Sequence, residues 1–516
     1  MSPPESTSNA TNLLMRFGIV GLFIIGIVAF TSQSFGGIDN SLLLIIAAVI
    51  GGYMALNIGA NDVANNVGPA VGSFALSMTA AIIIAAIFEA GGAIIAGGDV
   101  VSTIKKGIID PSNLSDPMTF ICVMMAALLA GAVWLNLATY LGAPVSTTHS
   151  IVGGVLGAGI AAGGMDIANW SKMSAIAASW VISPVLGGVI AAGFLFIIKR
   201  LVIHQNDMVR AAKRVIPLLL AIMAWAFTTY LCLKGLKKIW KIDFQTAALF
   251  GLCAATITVF VTGKLIEKAA EKLQNDRDAV ADLFTYPLIF SAALLSFAHG
   301  ANDVANAIGP LAAINDAIVN VGISQKAAIP LWVMLIGAIG IAIGLALFGP
   351  KLIRTVGTEI TDLDKPRAFC VALAAAITVI IASQLGLPVS STHIAVGGIF
   401  GVGFLREYLK RSYLAEMHAI SDQLTGNDKV KVDHILDNYT KVSVDEINKV
   451  FRVLKQDRKQ LDMKKKDVKR LKKGYKEELV KRSALYKIAA AWIITVPASA
   501  SLAAILFFTV RGIVIN

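Results

Sequence analysis

The chain has 516 residues, of which 56% are hydrophobic and 15% are charged, with a mean hydropathy of +0.72 and a formal net charge of +12. Because soluble domains carry about 25% charged residues, this composition argues against a soluble globular fold. The positive charge is typical of the basic cytoplasmic loops of membrane proteins. No aromatic platform or nucleic-acid motif accompanies it, so we predict no nucleic-acid partner.

Apolar segments recur along the chain, and many are long enough to cross a bilayer as a helix. An apolar run of about 20 residues spans the hydrocarbon core, where a helix satisfies its own backbone groups. We therefore predict an all-α polytopic membrane protein. Two segments, 119–163 and 367–405, each contain two apolar arms and are predicted helical hairpins. The predicted single spans are 15–30, 41–58, 78–98, 172–198, 215–233, 244–262, 285–300, 327–348 and 486–510.

The distribution of lysine and arginine predicts the orientation of these spans. If the charged block 406–485 is cytoplasmic, then loops 199–214, 263–284 and 349–367 are also cytoplasmic, and all three are rich in basic residues. Loop 234–243 is an exception, because it carries four lysines and falls on the outer side. The block 406–485 is predicted to be a solvated helical pair, with contact to anionic lipid as the alternative.

Two pairs of matching stretches indicate an internal duplication. GANDVANNVGP at 59–69 recurs as GANDVANAIGP at 300–310, and LGAPVSTTHSIVGGVLGAG at 141–159 recurs as LGLPVSSTHIAVGGIFGVG at 385–403. Two ordered matches at similar spacing are the signature of a repeat. Because five predicted crossings separate the two GANDVAN helices, the copies run in opposite directions. This is an inverted-topology repeat, whose two hairpin tips are expected to meet near the bilayer midplane.

The repeat predicts how the chain is divided. The parts are an extra N-terminal transmembrane helix at 1–40, repeat 1 at 41–200, connecting transmembrane helices and a cytoplasmic loop at 201–284, repeat 2 at 285–405, a cytoplasmic charged helical insert at 406–485, and a C-terminal transmembrane helix at 486–516.

The hairpin tips carry a pattern that starts a helix. In each tip a proline, Pro144 or Pro388, ends the first arm and Ser/Thr residues precede a glycine-rich apolar run. The first amides of such a helix have no intrahelical acceptor, and the helix dipole is positive there. Two of these helix starts facing each other would hold a small tetrahedral oxyanion. The hydroxyls available are those of Ser146, Thr147, Thr148, Ser390, Ser391 and Thr392.

The GANDVAN stretches place carboxylates at membrane depth. Asp62 and Asp303 have no lysine or arginine in the same spans, so each is either protonated or bound to a cation. The glycines and prolines of both motifs are predicted to unwind the helices and free carbonyl oxygens, which hard cations favour together with carboxylate and amide oxygens. The alternative is that these residues only cap broken helices. The neighbouring amides are those of Asn61, Asn65, Asn302 and Asn306.

Charge balance suggests coupled transport. An oxyanion held beside two aspartates, with only helix ends for help, is stable when cations bind with it, which is a basis for symport. His149 and His393 follow the tips and either donate to the anion, carry a proton or shape the turn, whereas His299 is predicted to be structural. An intramembrane hydrolase built on paired aspartates or a Ser–His pair is the alternative from another class. We predict no enzyme activity, because each candidate occurs twice, as a shared binding site requires.

These motifs, with IFEAGGAIIAGGDVVSTIKKGIID at 87–110, resemble the inorganic phosphate transporter (PiT) family, and the sodium-coupled branch most closely. The resemblance covers about 41–406 and the last helix. It implies a homodimer in the cell membrane, surrounded by lipid, that imports inorganic phosphate by an elevator-like or rocking form of alternating access. Sodium ions would be the co-substrate, and no cofactor is implied. Proton-coupled transport of phosphate or metal-phosphate, and a permease for another oxyanion such as sulfate, stay open.

The resemblance also assigns residues. It implies a transport role for Glu89, although repeat 2 shows no clear counterpart of this residue. The implied sodium ligands are Asp62, Asp303, Asn61 and Asn302. The implied phosphate ligands are Ser146, Thr147, Thr148, Ser390, Ser391, Thr392, Asn65 and Asn306.

Overall fold

The computed structural model describes residues 5–114, 116–141, 145–235, 240, 242–271, 273–320, 329–358, 363–421 and 482–514. These residues are almost entirely helical, and no β-strand occurs among them. The α-helices are α1 (Glu5–Phe35), α2 (Ser41–Asn61), α3 (Ala64–Gly72), α4 (Met78–Ala96), α5 (Gly98–Lys106), α6 (Pro117–Leu141), α7 (Thr147–Gly163), α8 (Trp170–Ile198), α9 (Met208–Lys234), α10 (Phe244–Ala270), α11 (Arg277–Leu283), α12 (Thr285–Val319), α13 (Leu331–Thr358), α14 (Lys365–Gln384), α15 (Ser391–Ser421) and α16 (Arg482–Val514).

Within these ranges, 11 helical segments are long and apolar enough to cross a membrane. Each predicted single span corresponds to one of them, which confirms a multi-pass integral membrane protein. The two further segments are the first arms of the hairpins, α6 and α14. The side of the membrane on which each loop lies stays a prediction.

Both predicted hairpins are present. Helices α6 and α7 form hairpin 1, and α14 and α15 form hairpin 2. The Ser146 hydroxyl accepts a hydrogen bond from the His149 amide at 3.1 Å, and the Ser390 hydroxyl accepts one from the His393 amide at 3.3 Å. These serines therefore cap the second arms, as the Ser/Thr pattern predicts. Pro144, predicted to end the first arm of hairpin 1, lies outside the described residues.

The two GANDVAN stretches differ in backbone structure. In the first, α2 ends at Asn61 and α3 begins at Ala64. The backbone N–H of Asn65 donates to the backbone carbonyl of Asp62 at 3.0 Å, which makes a tight i→i−3 turn. In the second, α12 continues through the whole motif. The prediction that both motifs unwind is therefore wrong for repeat 2. Pro310 removes only one helical hydrogen bond, and close packing against neighbouring helices supports the rest.

The inverted repeat is visible in how the motif helices pack. A methyl group placed on Gly59 would lie 2.0 Å from the Ile341 carbonyl oxygen, and one placed on Gly300 would lie 2.1 Å from the Glu89 carbonyl oxygen. Only glycine allows backbones to approach this closely. Helix α2 thus packs against α13 as α12 packs against α4, and the first glycine of each motif makes the same contact.

The chain forms two compact units. Met1–Gly401 together with Ser483–Asn516 forms the first unit, and Val402–Arg482 forms the second. Most of the predicted insert 406–485 falls outside the described residues. The finer division into repeats, connecting helices and insert stays a proposal.

Candidate functional site

The tips of the two hairpins touch each other. The Thr148 hydroxyl in hairpin 1 donates to the Val389 carbonyl in hairpin 2 at 2.9 Å. Both tips lie against the GANDVAN helices, and the predicted ligands on the tips and on these helices are all buried. The structure therefore brings the two predicted half-sites into one cluster.

Each aspartate bonds the tip of its own repeat. The Thr147 hydroxyl donates to Asp62 Oδ2 at 2.5 Å, and the Ser391 hydroxyl donates to Asp303 Oδ2 at 3.1 Å. Thr147 and Ser391 occupy the same position in the two hairpin motifs. The carboxylates consequently orient the hydroxyls that begin α7 and α15.

Each second asparagine of the motifs bonds the tip of the other repeat. The Asn65 amide donates to the Thr392 hydroxyl at 2.9 Å, and the Asn306 amide donates to the Thr148 hydroxyl at 3.1 Å. These two bonds are related by the repeat, because each joins equivalent residues of opposite halves. The two aspartates therefore bond the tips of their own repeats and the two asparagines join opposite repeats. One longer contact, from the Thr392 hydroxyl to Asp62 Oδ1 at 3.4 Å, makes Asp62 join the repeats as well.

Several oxygen atoms in this cluster accept no hydrogen bond from any described residue, although they are buried. These atoms are Asn65 Oδ1, Asn306 Oδ1 and Asp303 Oδ1. Pro69 and Pro310 lie four residues after Asn65 and Asn306. Because proline has no N–H group, neither can donate a helical hydrogen bond to the backbone carbonyl of the asparagine. Buried acceptors that lack donors are costly, and they are the ligands that hard cations favour.

The two repeats contribute their carboxylates to one place. Ligand atoms of Asp62, Asp303 and His299 lie within 4.8 Å of one another, and all three side chains are buried. Two like charges at this separation repel strongly in a medium of low dielectric constant. A bound cation or proton would relieve that repulsion.

Asn61 and Asn302, predicted as sodium ligands, face the first arms of the hairpins. The Asn61 amide donates to the Thr139 hydroxyl at 3.0 Å, and the Asn302 amide donates to the Ser383 hydroxyl at 2.9 Å. Thr139 and Ser383 are equivalent in the two repeats. The side-chain oxygen of Asn302, Oδ1, also accepts a hydrogen bond from the backbone N–H of Val389 at 3.3 Å. In this conformation these two asparagines fix the hairpins to the motif helices.

Glu89 belongs to a buried polar chain that ends at Asp303. Glu89 Oε1 accepts from the Asn66 amide at 2.8 Å, and Oε2 lies 2.7 Å from His299 Nδ1. The other ring nitrogen, His299 Nε2, lies 2.8 Å from Asp303 Oδ2. The interpretation of His299 as only structural missed this contact. Its position four residues before Asp303 on a helix was the available signal.

His149 and His393 form part of a row of four rings. The His149 ring lies 3.9 Å from Trp180 and 4.4 Å from His393, and the His393 ring lies 3.6 Å from Trp492, between ring centroids. Neither imidazole has a hydrogen-bond partner among the described residues. Neither histidine bonds a turn carbonyl, and the row joins both tips to α8 and α16.

Comparison with known proteins identifies the family. A model described as "Phosphate transporter family" matches residues 58–503. A Helicobacter pylori (strain J99) protein named "Putative phosphate permease" is 52% identical over 505 residues, which cover 96% of this chain and 94% of the relative. The chain belongs to the phosphate transporter family.

Other members of the phosphate transporter family and a solved structure agree. A Pyrococcus abyssi protein with the name "Putative phosphate permease PYRAB14010" is 39% identical over 369 residues, covering 71% of this chain and 90% of the relative. A solved structure titled "The sodium-dependent phosphate transporter" has a TM-score of 0.75 and 32% identity, and covers 92% of this chain and all of that chain.

Within this phosphate transporter fold, the predicted site residues fall into three groups. Thr147, Thr148, Ser391, Thr392, Asn65, Asn306, Asp62 and Asp303 form the central cluster. Ser146 and Ser390 cap the second arms, while Asn61 and Asn302 hold the first arms. Glu89 reaches the cluster through His299, and His149 and His393 lie in the ring row behind the tips.

Proposed function

We propose that this chain is a secondary active symporter that imports inorganic phosphate together with sodium by alternating access. The observation that carries the proposal is the central cluster, in which equivalent hydroxyl, amide and carboxylate groups of two opposed repeats meet. Membership of the phosphate transporter family and the likeness to a sodium-dependent phosphate transporter support it.

Phosphate would bind at the hairpin tips. The starts of α7 and α15 offer backbone amides, and Thr148 and Thr392 offer hydroxyls beside them. The phosphate ligands of the proposal remain Ser146, Thr147, Thr148, Ser390, Ser391, Thr392, Asn65 and Asn306. Ser146 and Ser390 would contribute mainly by capping, since their hydroxyls already accept amide hydrogen bonds.

The unpaired acceptors favour phosphate over sulfate. At neutral pH phosphate carries at least one O–H group, whereas sulfate carries none. A phosphate O–H can donate to one of the unpaired oxygens Asp303 Oδ1, Asn65 Oδ1 and Asn306 Oδ1 while sodium coordinates the others, whereas sulfate can donate to none of them. A polar site of this kind discriminates strongly against an analogue that leaves its groups unpaired.

Sodium would bind at the aspartates. Asp62 and Asp303 supply two carboxylates within one small region, and the asparagine oxygens complete an all-oxygen environment. Asn61 and Asn302 are kept in the proposal as residues that hold this region against the hairpins. Because phosphate and the two carboxylates repel each other, each substrate stabilises the binding of the other, which couples their transport.

We propose no hydrolytic activity for this transporter. The Ser146 and Ser390 hydroxyls accept bonds from the backbone, while His149 packs at an angle against Trp180 and His393 stacks on Trp492 instead of bonding a serine. A homodimer surrounded by lipid is also part of the proposal. Exposed apolar side chains such as Phe260 and Leu265 on α10 are suited to contact acyl chains or a second copy.

Uptake of radiolabelled phosphate into proteoliposomes tests the proposal. We expect uptake against a phosphate gradient with an imposed sodium gradient, and weak inhibition by excess sulfate. Uptake driven by a proton gradient alone would replace sodium with protons as the coupling ion. Sulfate uptake that matches phosphate uptake would contradict the proposed substrate.

A further inference from the structure

The turn of hairpin 2, residues 384–389, is held by side chains from five different helices. Its Gly386 has a φ of 67°, a conformation that glycine adopts without strain. The donors are Lys234 Nζ to the Gln384 carbonyl (3.2 Å), Thr103 Oγ1 to Gly386 (2.7 Å), Asn302 Nδ2 to Leu387 (3.2 Å), Trp180 Nε1 to Pro388 (3.1 Å) and Thr148 Oγ1 to Val389 (2.9 Å).

Helix α5 contributes to two of these contacts, although it lies outside the central cluster. Thr103 on α5 makes the shortest of the five hydrogen bonds. Lys234, which bonds the Gln384 carbonyl, forms an ion pair with Asp99 in the first turn of α5. Helix α5 therefore provides one of the five donors, Thr103, and positions a second donor, Lys234, through the ion pair with Asp99.

Helix α5 is in turn fixed to α12. Lys105 Nζ lies 2.8 Å from Asp316 Oδ2, and these side chains are only 5% and 2% exposed. Ile104 packs against Gly309 of the second GANDVAN motif, where an added methyl group would lie 2.8 Å from the isoleucine side chain. A buried ion pair that loses one partner is strongly destabilised, so α5 and α12 are expected to stay together.

We propose that Thr103 is a positioning residue for phosphate binding. This inference rests on the proposed function. Helix α12, which carries Asp303 and Asn306, is fixed to α5, and Thr103 on α5 donates to the Gly386 carbonyl. The position of α12 therefore determines the position of the turn. The turn leads directly into Ser391 and Thr392. Thr103 thereby sets the distance between the hairpin 2 hydroxyls and the GANDVAN side chains without contacting phosphate.

Three variants test this role. Thr103→Val removes the hydroxyl and keeps the shape, and Thr103→Ser keeps the hydroxyl. Thr378→Val is the matched control, because Thr378 is buried in the first arm of hairpin 2 and bonds the Ala374 carbonyl of its own helix at 2.8 Å. The measurements are equilibrium binding of radiolabelled phosphate to purified protein at saturating sodium, and KM and maximal uptake rate in proteoliposomes.

For Thr103→Val we expect the phosphate Kd and the KM to rise about threefold to tenfold, since one neutral hydrogen bond is lost, with little change in maximal rate. Thr103→Ser should restore the wild-type values, and Thr378→Val should keep them. Amide hydrogen exchange over residues 384–393 should accelerate in Thr103→Val without phosphate present.

Wild-type phosphate affinity and unchanged amide exchange in Thr103→Val would overturn the inference while leaving the proposed function intact. A lower maximal rate at constant KM would also overturn it, because a positioning role predicts weaker binding. If the wild-type protein itself binds no phosphate at saturating sodium, the proposed function fails and this inference fails with it.

Discussion

Glu89 lies against Gly300 of α12 in the same way that Ile341 lies against Gly59 of α2. The two residues are therefore structural equivalents in the two repeats, although one is charged and the other apolar. Four residues before each aspartate the same contrast appears, with His299 before Asp303 and Ile58 before Asp62. A polar chain thus supports one half of the central cluster and apolar packing supports the other.

This asymmetry predicts that Glu89 tunes ion binding at Asp303. Glu89→Gln keeps the contact with Asn66 but removes the charge that faces His299, whose other nitrogen faces Asp303. Loss of a group that orients a metal ligand typically weakens metal affinity by about 10- to 100-fold. We expect the sodium concentration for half-maximal phosphate uptake to rise by a comparable factor, with the protein still folded.

Glu89→Ile, which copies the equivalent position of repeat 2, should be more severe, because it also leaves the Asn66 side-chain amide and His299 Nδ1 without their partner. Glu267→Gln on the exposed side of α10 is the matched control. An unchanged sodium dependence in Glu89→Gln would show that the carboxylate only fills space between α3, α4 and α12.

Thr148 and Thr392 should both contribute to phosphate affinity, since each places a hydroxyl at the start of a second arm and accepts from an asparagine of the other repeat. Thr148→Val and Thr392→Val each remove one hydroxyl beside a helix start. Because hydrogen bonds to charged groups are stronger than neutral ones, we expect the phosphate Kd to rise about tenfold or more in each. The measurement is binding of radiolabelled phosphate at saturating sodium.

Thr258→Val and Thr262→Val serve as controls for these variants. Both threonines lie on α10 and bond carbonyls of their own helix, at 2.8 and 2.6 Å. Wild-type phosphate affinity in both tip variants would contradict the assignment of the tips as the anion site.

Much of this architecture could be predicted from local patterns in the sequence. Apolar length identified the spans, the order of the two duplicated motifs predicted the repeat, and the five predicted crossings between them predicted its inverted orientation. The Ser/Thr pattern placed the helix starts of both hairpins correctly. The spans and the helix starts depend on residues that are close together in the sequence, and the repeat depends on the recurrence of such local motifs.

The features that could not be predicted depend on contacts between distant helices. The equivalence of Glu89 and Ile341 follows from helix packing, since the two sequences around them are dissimilar. The continuity of α12 through Gly300 and Pro310 depends on neighbours that compensate the weak helix formers, as tertiary context often does. The link from α5 to the turn of hairpin 2 joins residues that are 283 positions apart.

The charged insert should be dispensable for transport. The unit that contains the central cluster ends at Gly401 and resumes at Ser483. The Pyrococcus abyssi relative is covered to 90% by an alignment that uses only 71% of this chain. We expect a chain in which a short flexible linker replaces 422–481 to insert into the membrane and take up phosphate at a rate close to that of the full chain.

Loss of phosphate uptake in a shortened protein that inserts normally would assign the insert a role in the transport cycle. Sucrose-gradient flotation of the proteoliposomes establishes insertion, and binding of radiolabelled phosphate then separates a defect in the site from a defect in movement. Normal binding without uptake would locate the role in movement.

Asp303→Asn should abolish sodium dependence, because it removes the charge that would hold the ion. The amide can still accept from Ser391, so hairpin 2 should keep its position and the protein should fold. We expect residual phosphate uptake that no longer responds to sodium, and a sodium affinity at least about 100-fold weaker, as breaking a buried charge contact implies. Asp110→Asn, at an exposed aspartate that caps a loop, is the control.

Asp62→Asn should lose sodium dependence as well, and should also loosen hairpin 1, because Asp62 accepts the Thr147 hydrogen bond at 2.5 Å. Sodium dependence retained in both single variants would remove the aspartates from the ion site and leave the ion to the carbonyl and amide oxygens of the asparagines.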